Sequence, residues 1–147
     1  MFTGKIEVQR LKGKDVNRQV VDDVNSLLQK QWSGARTITV EMLHKCLGKM
    51  AVVVACNDAE RVVGLGVLTL SGGLNFDCLE IRHLVVAEGQ DILSVGMRIV
   101  QALLEVYIHN IVYIDAGSWL QDGEMAEIFK TLGFKQKPNS RWRLRLK

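Results

Sequence analysis

Runs of apolar residues with strand and helix periodicity divide the first third of the chain into one strand and two helices. The stretch "KIEVQRL", residues 5 to 11, alternates with period two and predicts a strand with Ile6 and Val8 on one face. Asp15 is placed to cap a helix. The apolar stripe of that helix is predicted to be Val16, Val20, Val24, Leu27, Leu28 and Trp32. Thr39 can cap a second, shorter helix that ends near Gly48.

Three β-rich segments follow and are joined by turn signals at "NDAE" and "SGGLN". They are "MAVVVAC", "RVVGLGVLTL" and "CLEIRHLVV", at residues 50–56, 61–70 and 78–86. Short turns between consecutive strands predict an antiparallel meander. Gly64 and Gly66 lie inside the second segment, where we expect a bulge or a close packing contact.

After the meander the apolar period changes from two to 3.6, which predicts a helix over residues 94–109. "IVYIDAG" then predicts a strand, "EMAEIFKTLG" a short helix with Gly133 as its C-terminal stop, and "RWRLRLK" a last alternating strand. The predicted fold is a single α/β (α+β) domain over residues 1–147. Its mixed, mostly antiparallel sheet has about six strands and is flanked by about four helices.

The composition fits a self-sufficient core. The chain has 147 residues, of which 48% are hydrophobic, so it can bury a core without disulfides. Cys46, Cys56 and Cys78 are odd in number and form no CxxC pair, which predicts free core thiols and no zinc site. The N-terminus lacks an apolar signal core, and the longest apolar run, residues 50–56, is too short for a bilayer. We therefore expect a soluble, cytoplasmic protein without membrane association.

The order of the elements, with a strand that feeds a loop and a helix in the middle of the chain, is accompanied by two local matches. "RVVGLGVLTL" is similar to a strand that begins with a Val-Gly pair, and "IFKTLGF", residues 128–134, is similar to the segment "LYEKLGF". In these features the chain resembles, over nearly its whole length, the GNAT superfamily of acetyl-CoA-dependent N-acetyltransferases. The resemblance implies a sheet that opens near Leu84, Val85 and Val86, where the family receives pantetheine along a strand.

The loop after that strand is where the resemblance places the pyrophosphate of acetyl-CoA, on amides at a helix start. The family pattern of Gln or Arg, two residues, Gly, one residue, and Gly or Ala falls on residues 91–96, where only Gly96 matches cleanly. Asp91 replaces the basic residue and Ser94 the first glycine, so charge repulsion of about 1 to 4 kcal/mol is expected to weaken binding. The loop also fits a plain connection capped by Asp91 or Ser94. The predicted coenzyme-binding residues are Leu84, Val85, Val86, Asp91, Ile92, Leu93, Ser94, Val95, Gly96, Met97 and Arg98.

Acetyl transfer needs a neutral amine, so a base must take its proton, and the leaving thiolate benefits from an acid. The resemblance implies a base near the central strand, for which His83 and Glu80 are the candidates; the ordinary pKa of histidine suits this role. His83 equally fits a hydrogen-bonded strand histidine, and Glu80 fits an ion pair with Arg82. No spacing of His, Cys, Asp or Glu predicts a metal site.

The acid is expected in the "LYEKLGF" segment, where the family has a tyrosine. Here Phe129 stands at that position and cannot donate a proton, and Met125 stands where the family often has an asparagine. Tyr107 and Tyr113 remain as replacement acids, although their spacing also fits core or boundary positions.

The chain ends in a strongly basic strand. Its alternation places Trp142, Leu144 and Leu146 on one face, with the cations on the other: Arg141, Arg143, Arg145 and Lys147. Because the whole chain carries a formal net charge of only +3, the part before residue 130 is net negative. A half-buried strand with a basic outer face explains the pattern. An acidic protein, nucleic-acid phosphates or a coenzyme phosphate are the partners it could bind through Arg141, Arg143 and Arg145.

Two functions are compatible with these observations. The first is an N-acetyltransferase that uses acetyl-CoA on the amine of a small molecule or a protein, with His83 or Glu80 as the base. The second is a GNAT-fold module without catalytic activity that binds or assembles through its basic last strand. A homodimer is a further expectation in either case.

Overall fold

The computed structural model describes residues 5–71, 78–106, 111–116, 123–138 and 141–146. The strands and helices follow one another in the predicted order, with one short additional strand near the end. In chain order the elements are β1 (Glu7–Arg10), a 3-10 turn (Gly13–Asp15), α1 (Arg18–Gln31), α2 (Val40–Leu47), β2 (Met50–Cys56), β3 (Val62–Ser71), β4 (Cys78–Val86), α3 (Ile92–Glu105), β5 (Tyr113–Ala116), α4 (Gly123–Thr131), β6 (Lys135–Gln136) and β7 (Trp142–Arg145).

The strands form one sheet in the order β1-β2-β3-β4-β5-β7-β6. Each neighbouring pair is antiparallel except β4 and β5, which are parallel. The predicted mixed, mostly antiparallel sheet is confirmed, and so is the meander of β2, β3 and β4. The strand missing from the prediction, β6, has two residues, which is too short for any apolar period to reveal.

The sheet separates two hydrophobic clusters, and β4 contributes to both. Leu84 and Val86 pack in the cluster under α3 and α4, around Ile99 and Phe129. Val85 points to the other face and packs in the cluster under α1 and α2. Because successive side chains of a strand point to opposite faces of the sheet, β4 contributes to the packing on both faces and lies between the two sets of helices.

The two glycines of β3 allow α3 to approach the sheet closely. A Cβ atom at Gly66 would lie 2.5 Å from Ile99 Cγ2 and 2.9 Å from Leu103 Cδ1, and one at Gly64 would lie 2.8 Å from Ile99 Cδ1. These distances are shorter than van der Waals contact, so a larger residue would push the helix away. The predicted close packing contact is confirmed.

Several predicted helix boundaries are confirmed by hydrogen bonds or backbone angles. Thr39 caps α2 by accepting from Met42 N at 3.2 Å, and Gly48 is the C-cap directly after the last helical residue, Leu47. Gly133 follows α4 with a φ of +92°, the left-handed conformation of a helix stop. Helix α3 begins at Ile92, two residues before the predicted start, because Asp91 is its cap. The predicted end at residue 109 lies outside the described residues.

The prediction for α1 was wrong at both ends. Asn17, not Asp15, caps the helix, with Asn17 Oδ1 accepting from Val20 N at 2.9 Å; Asp15 lies in the preceding 3-10 turn. Trp32 was predicted in the buried stripe, but α1 ends at Gln31 and Trp32 is 68% exposed. Once the backbone leaves the helix, helical spacing no longer predicts where a side chain points.

The three cysteines are free, and Cys78 is buried as predicted for a core thiol, whereas Cys46 and Cys56 are only half-buried. No helix of the described chain is both long enough and apolar enough to cross a membrane. The cytoplasmic location and the homodimer stay predictions.

Candidate functional site

The end of β4 is paired differently on its two sides. Its pairing with β3 continues to Val86, whereas its pairing with β5 runs, in the described residues, only from Cys78 to Ile81. A register shift between Val67 and Leu68 of β3 leaves Arg82 as an extra residue in β4. Such a bulge bends a strand and redirects its side chains. Among the residues that the structure describes, the segment from Arg82 to Val86 has no partner in β5, so its outward backbone groups face other parts of the molecule.

The backbone of Leu84 and Val86 faces away from β3. Ala87 N donates to Val63 O at 2.8 Å, and in an antiparallel ladder alternate residues turn their polar groups to opposite sides. The side chains at the end of α1 occupy the resulting acceptors. Gln31 Nε2 donates to Leu84 O at 3.2 Å, and Lys30 Nζ donates to Val86 O. Two of the backbone carbonyls predicted to receive a ligand thus already accept intramolecular hydrogen bonds.

The same glutamine determines the tautomer of His83. Because Gln31 Nε2 donates to the Leu84 carbonyl, its Oε1 faces His83 Nδ1 at 2.9 Å and must accept. Nδ1 therefore carries the hydrogen, and in the neutral ring Nε2 carries the lone pair. Burial lowers the pKa of His83 below its ordinary value, and the nearby Arg82 charge lowers it further. His83 is consequently a neutral imidazole at neutral pH, which is the form that accepts a proton.

His83 lies between two adjoining open cavities. One, of about 410 Å³, is lined by Gln31, Trp32, Arg82 and His83. The other, of about 530 Å³, is lined by Arg82 and His83 together with residues of β2 and β3 and the turn before β2: Lys49, Met50, Val67, Thr69 and Leu70. The cavities share Arg82 and His83, so a small molecule in either would lie beside the imidazole.

Glu80 is bound by two guanidinium groups. Arg82 Nε lies 3.2 Å from Glu80 Oε1, and Arg141 Nη2 donates to Glu80 Oε2. The expected same-face pair of Glu80 and Arg82 is therefore present. A carboxylate held on both oxygens is poorly placed to take a proton from a substrate, so the arrangement favours His83 over Glu80 as the base.

The coenzyme loop predicted from the sequence begins with a capped helix. Asp91 Oδ1 accepts from Ser94 N at 3.1 Å, so a carboxylate already occupies one of the first amides of α3. Arg98 does not extend toward this end of the helix but donates to Ile6 O at 2.8 Å. Both observations describe an α3 terminus without a nearby cation from the loop itself.

The remaining loop residues belong largely to the core. Val95 and Gly96 are buried, Ile92 and Met97 pack at the edge of the α3 cluster, and Leu93 is 38% exposed. A Cβ at Gly96 would lie 2.6 Å from Ile128 Cδ1 of α4, so the one glycine that matches the family pattern faces a helix contact. Its predicted role in coenzyme binding stays a prediction.

The aromatic residue at the expected acid position is a core residue. Phe129 is fully buried, with its ring edge-on to Phe134 at 5.1 Å and stacked on Trp142 at 6.2 Å. Met125 is buried beside it. Tyr113 pairs with Cys78, five residues before His83, which places it about 16 Å away along the strand. Tyr107 lies outside the described residues.

Arg141 and Arg143 of the basic last strand bind carboxylates within the molecule. Arg141 pairs with Glu80, and Arg143 makes a bidentate pair with Asp115 at 2.6 and 2.9 Å while lying over the Tyr113 ring at 4.2 Å. Burial alone would raise the pKa of Asp115, but Arg143 holds it below its ordinary value. As predicted, Trp142 is buried, and Leu144 and Leu146 pack on the core. A nucleic-acid or acidic partner would meet fewer uncompensated charges here than the sequence indicates.

Four contributors to this site were missed from the sequence: Lys30, Gln31, Trp32 and Lys49. The first three come from the end of α1 and reach β4 or its cavities, a proximity that depends on how the helix crosses the sheet. No group of three or more His, Cys, Asp or Glu side chains suited to a metal occurs in the part of the chain that the structure describes.

No family model and no curated protein matches the sequence. Solved structures do. The aminoglycoside 6'-acetyltransferase type Ii is 21% identical, covers 95% of this chain and 96% of its own, and has a TM-score of 0.71. A chain of the NatC complex bound to Gag peptide and CoA is 12% identical over 97% and 99%, with a TM-score of 0.73. A GNAT-family acetyltransferase from Staphylococcus aureus Mu50 is 15% identical over 97% and 100%, with a TM-score of 0.67. At these identities the likeness is one of fold.

Proposed function

This chain has the GNAT fold, and on that premise we propose that it is an N-acetyltransferase that uses acetyl-CoA, with His83 as the general base. The observation that carries the proposal is His83 itself. Its ring is held by Gln31 in the tautomer with the lone pair on Nε2, its pKa is lowered, and it borders two cavities beside the end of β4, where the described pairing with β5 stops at Ile81. A structural strand histidine would make the same hydrogen bond to Gln31 but would not need to border two open cavities, so the cavities are what favour the catalytic role.

The thioester arm of acetyl-CoA is assigned to the β4 segment from Leu84 to Val86. Pantetheine contains two amide groups, which can pair with a strand edge in the way that another strand would. The edge is available on the side away from β3, although Gln31 and Lys30 now donate to its carbonyls. Carbonyl oxygens accept two hydrogen bonds, so the arm can add to these contacts or displace the flexible lysine.

The pyrophosphate is assigned to the first amides of α3, and this is the weakest part of the fit. The helix start offers N–H groups and a positive dipole end. Asp91, however, already binds Ser94 N and places a negative charge beside the ligand phosphates. Backbone groups would therefore bind acetyl-CoA while the Asp91 carboxylate repels its phosphates, and we expect a modest affinity as a result.

The proposed reaction needs one base and no acid from the protein. The amine nitrogen attacks the thioester carbonyl carbon, so that a C–N bond forms and the C–S bond then breaks with its electron pair leaving on sulfur. His83 Nε2 takes the proton that the nitrogen loses after the attack; an acceptor that arrives as ammonium has first given one proton to solvent through the same Nε2. Thiols have a pKa of about 8.5, so the thiolate is a good leaving group that can take its proton from water after it departs. This route is consistent with Phe129 being a core residue.

Calorimetric titration of the purified protein with acetyl-CoA, and in parallel with CoA, tests the binding half of the proposal. We expect dissociation constants in the micromolar to submillimolar range. The catalytic half is tested by following thiol release from acetyl-CoA with a panel of amines. Absence of heat at millimolar ligand together with absence of amine-dependent thiol release would overturn the proposed function.

A further inference from the structure

We infer that the acceptor of this site is an amine that also carries an anionic group, a carboxylate or a phosphate, which Arg82 and Lys49 bind. The inference rests on the proposed function and names its substrate class. It is carried by the charges that line the two cavities beside His83.

The charged side chains lining these cavities are cationic. Arg82 borders both, and Lys49 borders the larger. No carboxylate is among the described residues that line either cavity. The other walls are apolar or neutral and include Trp32, Met50 and Leu70. Among these described lining residues a polycationic amine would find no counter-charge, whereas an anionic group would find two cations.

The carboxylate that contacts Arg82 does not cancel this charge. Glu80 is the partner of both Arg82 and Arg141, so the three side chains together keep a net positive charge. Arg82 meets Glu80 and Thr69 through its Nε, at 3.2 and 3.4 Å. Its terminal nitrogens extend from that contact, and its side chain is 61% exposed, so a ligand can reach the planar fork that suits carboxylate and phosphate.

The neutral state of His83 completes the argument. An imidazolium at this position would repel an incoming ammonium group, but the lowered pKa keeps the ring neutral. One acceptor molecule can therefore place its amine at His83 Nε2 and its anionic group at Arg82, because the two residues are adjacent in β4 and line the same cavities. The anion would also help to orient the amine.

Matched pairs of amines test this inference. Phenylalanine and phenylalaninamide differ only in the carboxylate, glucosamine 6-phosphate and glucosamine differ only in the phosphate, and spermidine serves as the polycation. Binding of each to the protein with CoA present is measured by calorimetry, and turnover with acetyl-CoA by thiol release. We expect the anionic member of at least one pair to bind, and to turn over, about tenfold better than its neutral partner. The pair that shows this preference identifies the anionic group that the site binds: a carboxylate for the first pair and a phosphate for the second.

Arg82→Gln should abolish that preference while leaving acetyl-CoA binding unchanged. Arg18→Gln is the matched control, since it makes the same change of charge at the start of α1, about 20 Å along the helix from Gln31. If the role of Arg82 were merely structural, the substitution would lower binding and turnover equally for both amines of a pair, and the ratio between the two amines would stay the same.

The results separate the two proposals. Equal binding and turnover within both pairs, or better turnover of spermidine, overturns the anionic-acceptor inference while acetyl transfer stands. Selective binding of an anionic amine without acetyl-CoA binding supports the recognition site and overturns the enzyme. An unchanged ratio in Arg82→Gln removes Arg82 from recognition.

Discussion

The loop that follows β4 is acidic, whereas the cavities beside the end of β4 are basic. Each charge has the same sign as the ligand proposed to bind there, an anionic coenzyme and an amine. At the start of α3, where an anionic coenzyme is proposed to bind, the chain places Asp91 and Glu88. Beside His83, where an amine is proposed to bind, it places Arg82 and Lys49. The difference indicates that the two regions would bind their ligands by different interactions: backbone hydrogen bonds for the coenzyme and side-chain charge for the acceptor.

The two regions also differ in how their charges are satisfied. The Asp91 carboxylate is fixed by a hydrogen bond to a helix amide, so it is both a structural cap and an obstacle to phosphate. The Arg82 guanidinium is only partly neutralised by Glu80 and stays accessible. Charge at the first region serves the fold, whereas charge at the second is available to a ligand. The experiments below separate these assignments, beginning with the largest expected effect.

Replacing His83 by Asn should abolish most acetyl transfer. An amide can still donate to Gln31 Oε1 but cannot take a proton, so we expect kcat/KM to fall by about 10²- to 10⁴-fold. Calorimetry with acetyl-CoA should show unchanged affinity, because the backbone of β4 is retained. A variant with near-normal turnover would show that another group or a water acts as the base.

The pH dependence of kcat/KM should follow the His83 pKa. Since burial lowers that pKa, the neutral base persists below the ordinary histidine value of about 6.5, and activity should fall only at more acidic pH, about tenfold per unit. The sign for stability is the same: the contribution of neutral His83 is complete above the unfolded pKa and is lost as pH decreases through the folded one. An acid limb at or above 6.5 that does not move with the pKa of the acceptor amine would contradict the assignment.

Asp91→Asn should strengthen acetyl-CoA binding by about tenfold. The asparagine keeps the oxygen that caps α3 but removes the charge, and one unit charge near phosphate is worth about 1 kcal/mol or more. Titration calorimetry measures the change. Asp91→Ala is the informative companion, because it removes the charge and also the cap, which should cost about 0.5–2 kcal/mol in stability. Equal affinity of the wild-type and Asn variants would remove α3 from the coenzyme site.

Gly96→Ala should have the smallest effect of the four. The added methyl meets the terminal methyl of Ile128, which can turn aside, so we expect a loss of about 1 kcal/mol or less in thermal or urea unfolding and no change in acetyl-CoA affinity. Gly66→Ala is the contrasting control, since its methyl would meet the Cγ2 methyl of Ile99, which is fixed close to the backbone, with a cost of about 1–3 kcal/mol. A loss of acetyl-CoA affinity in Gly96→Ala with stability preserved would show that this glycine serves the ligand.

Much of the fold could be predicted from the sequence because the signals are local. The meander, the Thr39 cap, the glycine packing in β3 and the stop at Gly133 each depend on side-chain alternation, a single hydrogen bond or one backbone angle. The end of α1 was predicted less well, since Trp32 continues the helical spacing by chance while the backbone has already turned. Strand β6 was missed because two residues contain no period.

The candidate site was only half determined by the sequence. The chain by itself placed His83 and Glu80 on one strand, removed the tyrosine acid at Phe129, and put a carboxylate at the start of α3. Only the tertiary structure distinguishes the two candidate bases, because it brings Gln31 from 52 residues away to orient His83 and Arg141 from 61 residues away to bind Glu80. Contacts between distant segments depend on how helices and strands pack together, and no local pattern of residues specifies that packing.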